Sequence, residues 1–281
     1  YPSPQPHRTR TQTINFWHYI QEQASVDFSH GPTMVSLSSV FGILGILVAG
    51  VLFLSPVTTI RTIVRNKNTL KFSQLPYLAQ IVESSFWTLW SLTVPNRSEM
   101  LINNIIGVSF MSIYVIVFLY FVDKKNRTKA YLHVGVALIL INTGLVVYLS
   151  VPQSTASLFL SVAAVVLNVV KYASPLSVAK LVIQTKSVQY MPLPLTLACL
   201  ACSVLWGMYG ILLNDYWIMI PNVAGVVCGV LQVLLWCYYH FTSTVESDVD
   251  GGAQTVAATM ATKGTKISIL EVGVVVPDDV A

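Results

Sequence analysis

The chain is short of charge. Asp, Glu, Lys and Arg make up only 10% of its 281 residues while 54% are hydrophobic, against about 25% charged in an ordinary soluble domain. That excludes a water-soluble globule. The histidines, at 7, 18, 30, 133 and 240, form no ligand cluster, so no metal site is implied. There is no Walker loop, GxSxG or HExxH, which leaves an enzyme without support and gives no place for a cofactor. The four cysteines, Cys199, Cys202, Cys228 and Cys237, all fall in apolar runs. Cys199-Leu-Ala-Cys202 spells CxxC, but in an apolar helix such residues read first as small packing groups. Ten-residue stretches of alternating polarity are also missing, which excludes a membrane barrel.

What the chain has instead is long uncharged runs. Seven are near the 20 residues that a hydrocarbon core requires of a helix: 37 to 60, 74 to 94, 100 to 122, 131 to 149, 157 to 183, 192 to 213 and 216 to 240. Only Glu83, Lys171 and Lys180 interrupt them, and Lys180 sits near an end from which it can snorkel. The expected fold is an all-α membrane protein with seven transmembrane helices, because backbone groups in lipid must be satisfied within the segment.

Lys and Arg fall unevenly on the loops. Arg61, Arg65, Lys67, Lys71, Lys124, Lys125, Arg127, Lys129, Lys180 and Lys186 share one side, and Arg8, Arg10 and Arg97 the other. The positive-inside rule then puts the N-terminus outside and the C-terminus in the cytosol, and the expected location is the plasma membrane. Asn96-Arg97-Ser98 is a glycosylation sequon on the outer side; Asn126-Arg127-Thr128 lies on the inner side, where it stays unmodified. Residues 1 to 34 are polar and aromatic without a signal pattern, and read as an extracellular extension. Residues 242 to 281 read as a flexible acidic cytosolic tail, with six acids and two lysines from Glu246 onward. The net charge of +4 therefore concentrates on loops as a topology signal, with no sign of a nucleic-acid partner.

The sequence also repeats itself. SPVTTIRTIVRNKNTLKFSQLP (55 to 76) resembles SPLSVAKLVIQTKSVQYMPLP (174 to 194). Each begins with Ser-Pro late in an apolar span, places a lysine eleven residues after the proline (Lys67, Lys186) and ends in an aromatic followed by proline. Asn104-Ile-Ile-Gly107 and Asn222-Val-Ala-Gly225 follow at the same distance, 28 residues beyond Pro76 and Pro194. Spans one to three and five to seven are thus parallel three-helix repeats, and span four is a linker that returns the chain across the membrane (3+1+3). The divisions are 35–122, 123–156 and 157–241. Parallel repeats about an axis along the membrane normal are a transporter architecture. Pro56, Pro76, Pro175 and Pro192 are candidate hinges, since a proline within a span frees a carbonyl and bends the helix.

SPVTTIRTIV with KFSQLPY, YASPLSV with TKSVQYMPLPL, WGMYG and IPNVAG together resemble the SWEET sugar transporters, from about Val40 to Phe241. The Pro-Gln dipeptide of the related PQ-loop proteins is absent at the repeat turns. The resemblance implies facilitated, bidirectional uniport of mono- or disaccharides across a lipid bilayer, without cofactor, and it allows homo-oligomers. It implies that Pro56, Pro76, Pro175 and Pro192 form a cytosolic-side gate. It also implies that Asn104 and Asn222 hydrogen-bond the sugar, that Trp87 and Trp206 stack on it, and that Leu52, Glu83, Lys171 and Cys202 line the pocket. The chemistry suits a sugar, which has an apolar ring face and a hydroxyl rim. An asparagine in a membrane helix can instead be helix-to-helix glue and a tryptophan an interface marker, as we read Trp17, Trp90, Trp217 and Trp236.

The chain departs from that pattern at two pocket positions, where Glu83 and Lys171 replace small or neutral residues. Burying either charge alone is costly, and pairing recovers much of the cost, so the two are expected to face one another across the pathway. Such a pair either touches substrate or only joins the repeats. The charges also raise an alternative, a proton-coupled carrier or one for charged or zwitterionic solutes. A seven-helix receptor is opposed by the parallel repeat and by the absence of receptor motifs.

Overall fold

A computed structural model describes residues 36–171 and 173–262, with side chains at all of these except 173–175, 190 and 243–262. The expected N-terminal extension, residues 1–34, and the end of the tail lie outside the described residues.

Among the described residues every regular element is helical. α1 (Leu37–Leu54) opens on Ser36, whose hydroxyl accepts from the Ser39 amide. It ends at Ser55-Pro56 for a local reason. Pro56 has no N–H for the Leu52 carbonyl, and Ser55 takes over that acceptor with its amide at 3.1 Å and its hydroxyl at 2.8 Å. The chain restarts at once as α2 (Val57–Asn66), so the first crossing is a broken helix. α3 (Leu75–Ser91), α4 (Ser98–Phe121) and α5 (Lys124–Ser150) follow. The fifth crossing comprises α6 (Gln153–Lys171) and α7 (Ala173–Thr185), on either side of residue 172, which lies outside the described residues. A 3-10 turn (Val188–Tyr190), α8 (Leu193–Leu212) and α9 (Tyr216–Thr262) complete the order. Six crossings are long and apolar enough to span a membrane. The seventh is α3, whose 17 residues reach about 25 Å at 1.5 Å per residue. The helix of α9 continues into the stretch read as tail, because no proline stands between Asn222 and Thr262 to stop it.

The prolines behave less uniformly than the hinge expectation. Pro76 is the second residue of α3, and Pro192 precedes the first residue of α8. A helix start has no use for that N–H, so neither residue bends a span. Pro175 belongs to α7, with its side chain outside the described residues. Pro221 is the proline inside a helix, in α9, buried and next to Asn222.

The packing order displays the duplication. α4 packs against both α1 and α3, and α9 packs against both α6 and α8, so the third span of each trio stands between the other two. The trios meet reciprocally, α1 on α8 and α3 on α6. α5 lies against α3 and, more lightly, against α6 and α4. Backbone details repeat too. Lys67 and Lys186 both take left-handed conformations, with φ 49° and 52°, and so do Asn96 and Asn214, at 55° and 51°. Asn96 and Asn214 each lie eight residues before the conspicuous asparagine of their own repeat, and asparagine tolerates that conformation better than most side chains.

Candidate functional site

All three spans of each repeat contribute residues to a cavity where the trios meet. Leu52, Glu83, Trp87, Asn104, Lys171, Cys202, Trp206 and Asn222, the residues expected to contact a solute, all line a single cavity of about 390 Å³. That volume suits a small organic ligand. Pro56 and Pro76 also line it, and Pro192 does not.

Asn104 and Asn222 are held identically. Asn104 Nδ2 donates to the Met100 carbonyl at 2.8 Å, and Asn222 Nδ2 to the Ile218 carbonyl at 2.7 Å, each one helical turn back. A carbonyl can only accept, so the amide nitrogen of each must face the helix. The amide oxygens remain as acceptors for a ligand hydroxyl. The tryptophans match as well. Trp87 packs edge-on to Trp90 with ring centres 5.3 Å apart, and Trp206 packs edge-on to Tyr209 at the same separation. Both indoles are nearly buried, at 4% and 7% exposure.

Glu83 and Lys171 form an ion pair between α3 and α6. The pair sits in a larger network. Asn168 Nδ2 donates to Glu83 Oε1 at 2.8 Å, and Lys171 Nζ donates to Gln80 Oε1 at 3.2 Å. Gln80 Nε2 in turn reaches Ser84 Oγ at 3.0 Å. The carboxylate is sealed, with 3% of its side chain exposed, whereas the lysine side chain is 36% exposed. Desolvating a carboxylate is tolerable when its oxygens are both occupied in this way.

Beyond the cavity, where the loop after the second span of each repeat lies, the two repeats are tied to one another. Arg97 Nε and Nη2 donate to Asp215 Oδ2 at 3.1 and 2.7 Å, and Arg97 Nη1 donates to the carbonyls of Pro95 and Asn96. Asp215 Oδ1 accepts the Trp217 amide at the start of α9. Nearby, Tyr209 Oη donates to Glu99 Oε2 at 3.2 Å. Both contacts join one repeat to the other. The opposite end of the cavity reaches Pro56, Pro76 and the part-exposed Lys171.

Sequence reasoning missed several of these residues. Gln80 and Asn168 each stand three positions before a charged residue of their own span, a helical spacing that puts both on one face. Asn103 lines the cavity beside Asn104, and its amide oxygen is buried without a hydrogen-bond partner. Arg97 and Asp215 carried a readable signal, opposite charges in the two loops that follow the second span of each repeat.

Comparison with known proteins agrees with the duplicated sequence. A family model described as "Sugar efflux transporter for intercellular exchange" matches twice, over residues 39–126 and 158–244. Bidirectional sugar transporter SWEET16 of Arabidopsis thaliana is 32% identical over 78% of this chain and 96% of its own length. Bidirectional sugar transporter SWEET2a of Oryza sativa subsp. japonica is 38% identical over 73% of this chain and 86% of its own. A solved structure of a eukaryotic SWEET transporter superimposes with a TM-score of 0.68 at 29% identity, covering 72% of this chain and 96% of that one. With its two matched trios, its reciprocal helix packing and these relatives, the chain is a multi-pass membrane protein that belongs to the SWEET family of sugar efflux transporters.

Proposed function

We propose that this protein equilibrates mono- or disaccharides across a membrane in both directions, as a uniporter whose two trios rock about the central cavity. One observation carries the reading. Asn104 and Asn222, at matching positions of the two repeats, offer their amide oxygens to one cavity flanked by two indoles. The relatives' names, bidirectional sugar transporters, support the same activity. A sugar donates its hydroxyls to such oxygens while its ring face lies on an indole. The trios of 35–122 and 157–241 are then the moving halves, with 123–156 as the linker.

The Arg97–Asp215 end is the closed one, and the cavity faces the end that carries Pro56, Pro76 and the basic loops. By the positive-inside rule that is the cytosolic end, so the conformation is inward-facing, with Asn96 outside as a glycosylation acceptor. The plasma membrane is the expected location. A proton-coupled carrier is the weaker reading, because both oxygens of Glu83 are already committed to Asn168 and Lys171.

The test is uptake of a labelled sugar panel in a host without hexose carriers of its own. Wild type is expected to move at least one neutral sugar and Asn222→Ala to lose most of that uptake at equal expression. Equal uptake of every sugar by both would refute the site.

A further inference from the structure

The repeat makes it possible to ask which wall of the cavity should equal which. Counting back from Pro56 and Pro175, Leu52 corresponds to Lys171 and Ala49 to Asn168; counting back from Trp87 and Trp206, Glu83 corresponds to Cys202 and Gln80 to Cys199. All eight positions line the cavity. At the α3–α6 contact they are Gln80, Glu83, Asn168 and Lys171, joined by hydrogen bonds and an ion pair. At the corresponding α1–α8 contact they are Ala49, Leu52, Cys199 and Cys202, which offer no comparable donor or acceptor. Two copies of one backbone therefore frame a chamber with a polar wall facing an apolar one.

The polar wall retains unused capacity. Lys171 Nζ has three donors, of which Glu83 and Gln80 engage two. The Asn168 amide oxygen has no partner among the described residues. Glu83 is the opposite case: it lines the cavity, but both of its oxygens are occupied and its side chain is only 3% exposed.

We propose that the cavity accepts a sugar in one orientation, its more hydroxylated edge on Lys171 and Asn168 and its less polar edge against Leu52 and Ala49. Lys171 and Asn168 are the specificity-determining contacts. Glu83 is a positioning residue that holds both of them and touches no substrate. A chamber with equal walls would accept the ring in either of two orientations related by the repeat; this one rejects one of them, because a hydroxyl turned toward Leu52 loses its partners. The inference rests on the sugar-transporter reading.

Counterflow of labelled glucose by the full chain in proteoliposomes, with monodeoxyglucoses as competitors, tests it. In wild type, removing the hydroxyl or two adjacent hydroxyls on the Lys171–Asn168 wall is expected to weaken competition about tenfold, as is removing one held by Asn104 or Asn222, with positions that face only Leu52 and Ala49 within about twofold. Asn168→Ala should weaken unmodified glucose about tenfold while leaving the deoxysugar that lacks the matching hydroxyl within about twofold of its wild-type value. Leu52→Ala, on the opposite wall, should shift all competitors by one common factor. Glu83→Gln should raise the half-saturating concentration and keep the maximal rate within about twofold. Indifference of wild type to every ring position would overturn the orientation, and that measurement needs no variant. A common factor for all competitors in Asn168→Ala would also overturn it, as would loss of maximal rate at unchanged half-saturation in Glu83→Gln. Absence of any hexose counterflow by wild type would instead remove the transporter reading beneath it.

Discussion

The two charges differ in how far each depends on the other. Glu83 is sealed at 3% exposure and Lys171 keeps 36% of its side chain accessible, so removing the lysine strands a buried anion, while removing the carboxylate leaves a cation that can still reach water. Lys171→Met is therefore expected to destabilise the protein by about 3–5 kcal/mol, and Glu83→Leu by clearly less. Neutralising both should recover most of the lysine loss. Thermal unfolding in detergent measures this cycle, and strictly additive losses would contradict the pairing. Much of this was legible in the sequence. A lone charge in a membrane span demands a partner, and only Glu83 and Lys171 were candidates. Gln80 and Asn168 were not legible, because neutral polar residues in such helices usually serve as glue. Asn103 was hidden by its neighbour Asn104, which resemblance had already assigned.

At the scale of helices, the apolar runs gave seven crossings and the first Ser-Pro pair marked where the first crossing is broken, whereas Ser174-Pro175 lies within α7. The run boundaries did not reveal where each helix begins, since hydrophobicity continues through loop residues. Pro76 and Pro192 therefore read as interior positions, whereas they stand at helix starts. Helix approach was equally hidden. A Cβ on Gly45 of α1 would come within 3.0 Å of the Trp206 ring of α8, so this glycine sets how closely the repeats meet beside the cavity. Gly45→Ala is expected to displace the indole and lower sugar transport several-fold. Gly50→Ala on the same helix meets nothing within 4 Å and should leave transport intact. Equal transport by the two variants would show that the Trp206 position is not set by this contact.

Across the whole molecule, the repeats are joined at one end by the Arg97–Asp215 pair and by Tyr209 on Glu99, while the other end carries the break of the first span at Ser55-Pro56. The Arg97→Gln/Asp215→Asn double variant removes the pair without stranding either charge. It should let a membrane-impermeant maleimide, applied from the Arg97 side, reach Cys199 and Cys202 faster than in wild type. Unchanged labelling would mean that the pair does not close that end. The central claim is that the cavity between the repeats is a passive route for sugar. The most direct measurement is counterflow of labelled glucose in proteoliposomes, with and without an imposed pH gradient, for wild type and for Asn104→Ala and Asn222→Ala. The predicted result is equilibration by wild type regardless of the pH gradient, and loss of most transport in either variant. Accumulation driven by the pH gradient, or unimpaired transport by both variants, would contradict it.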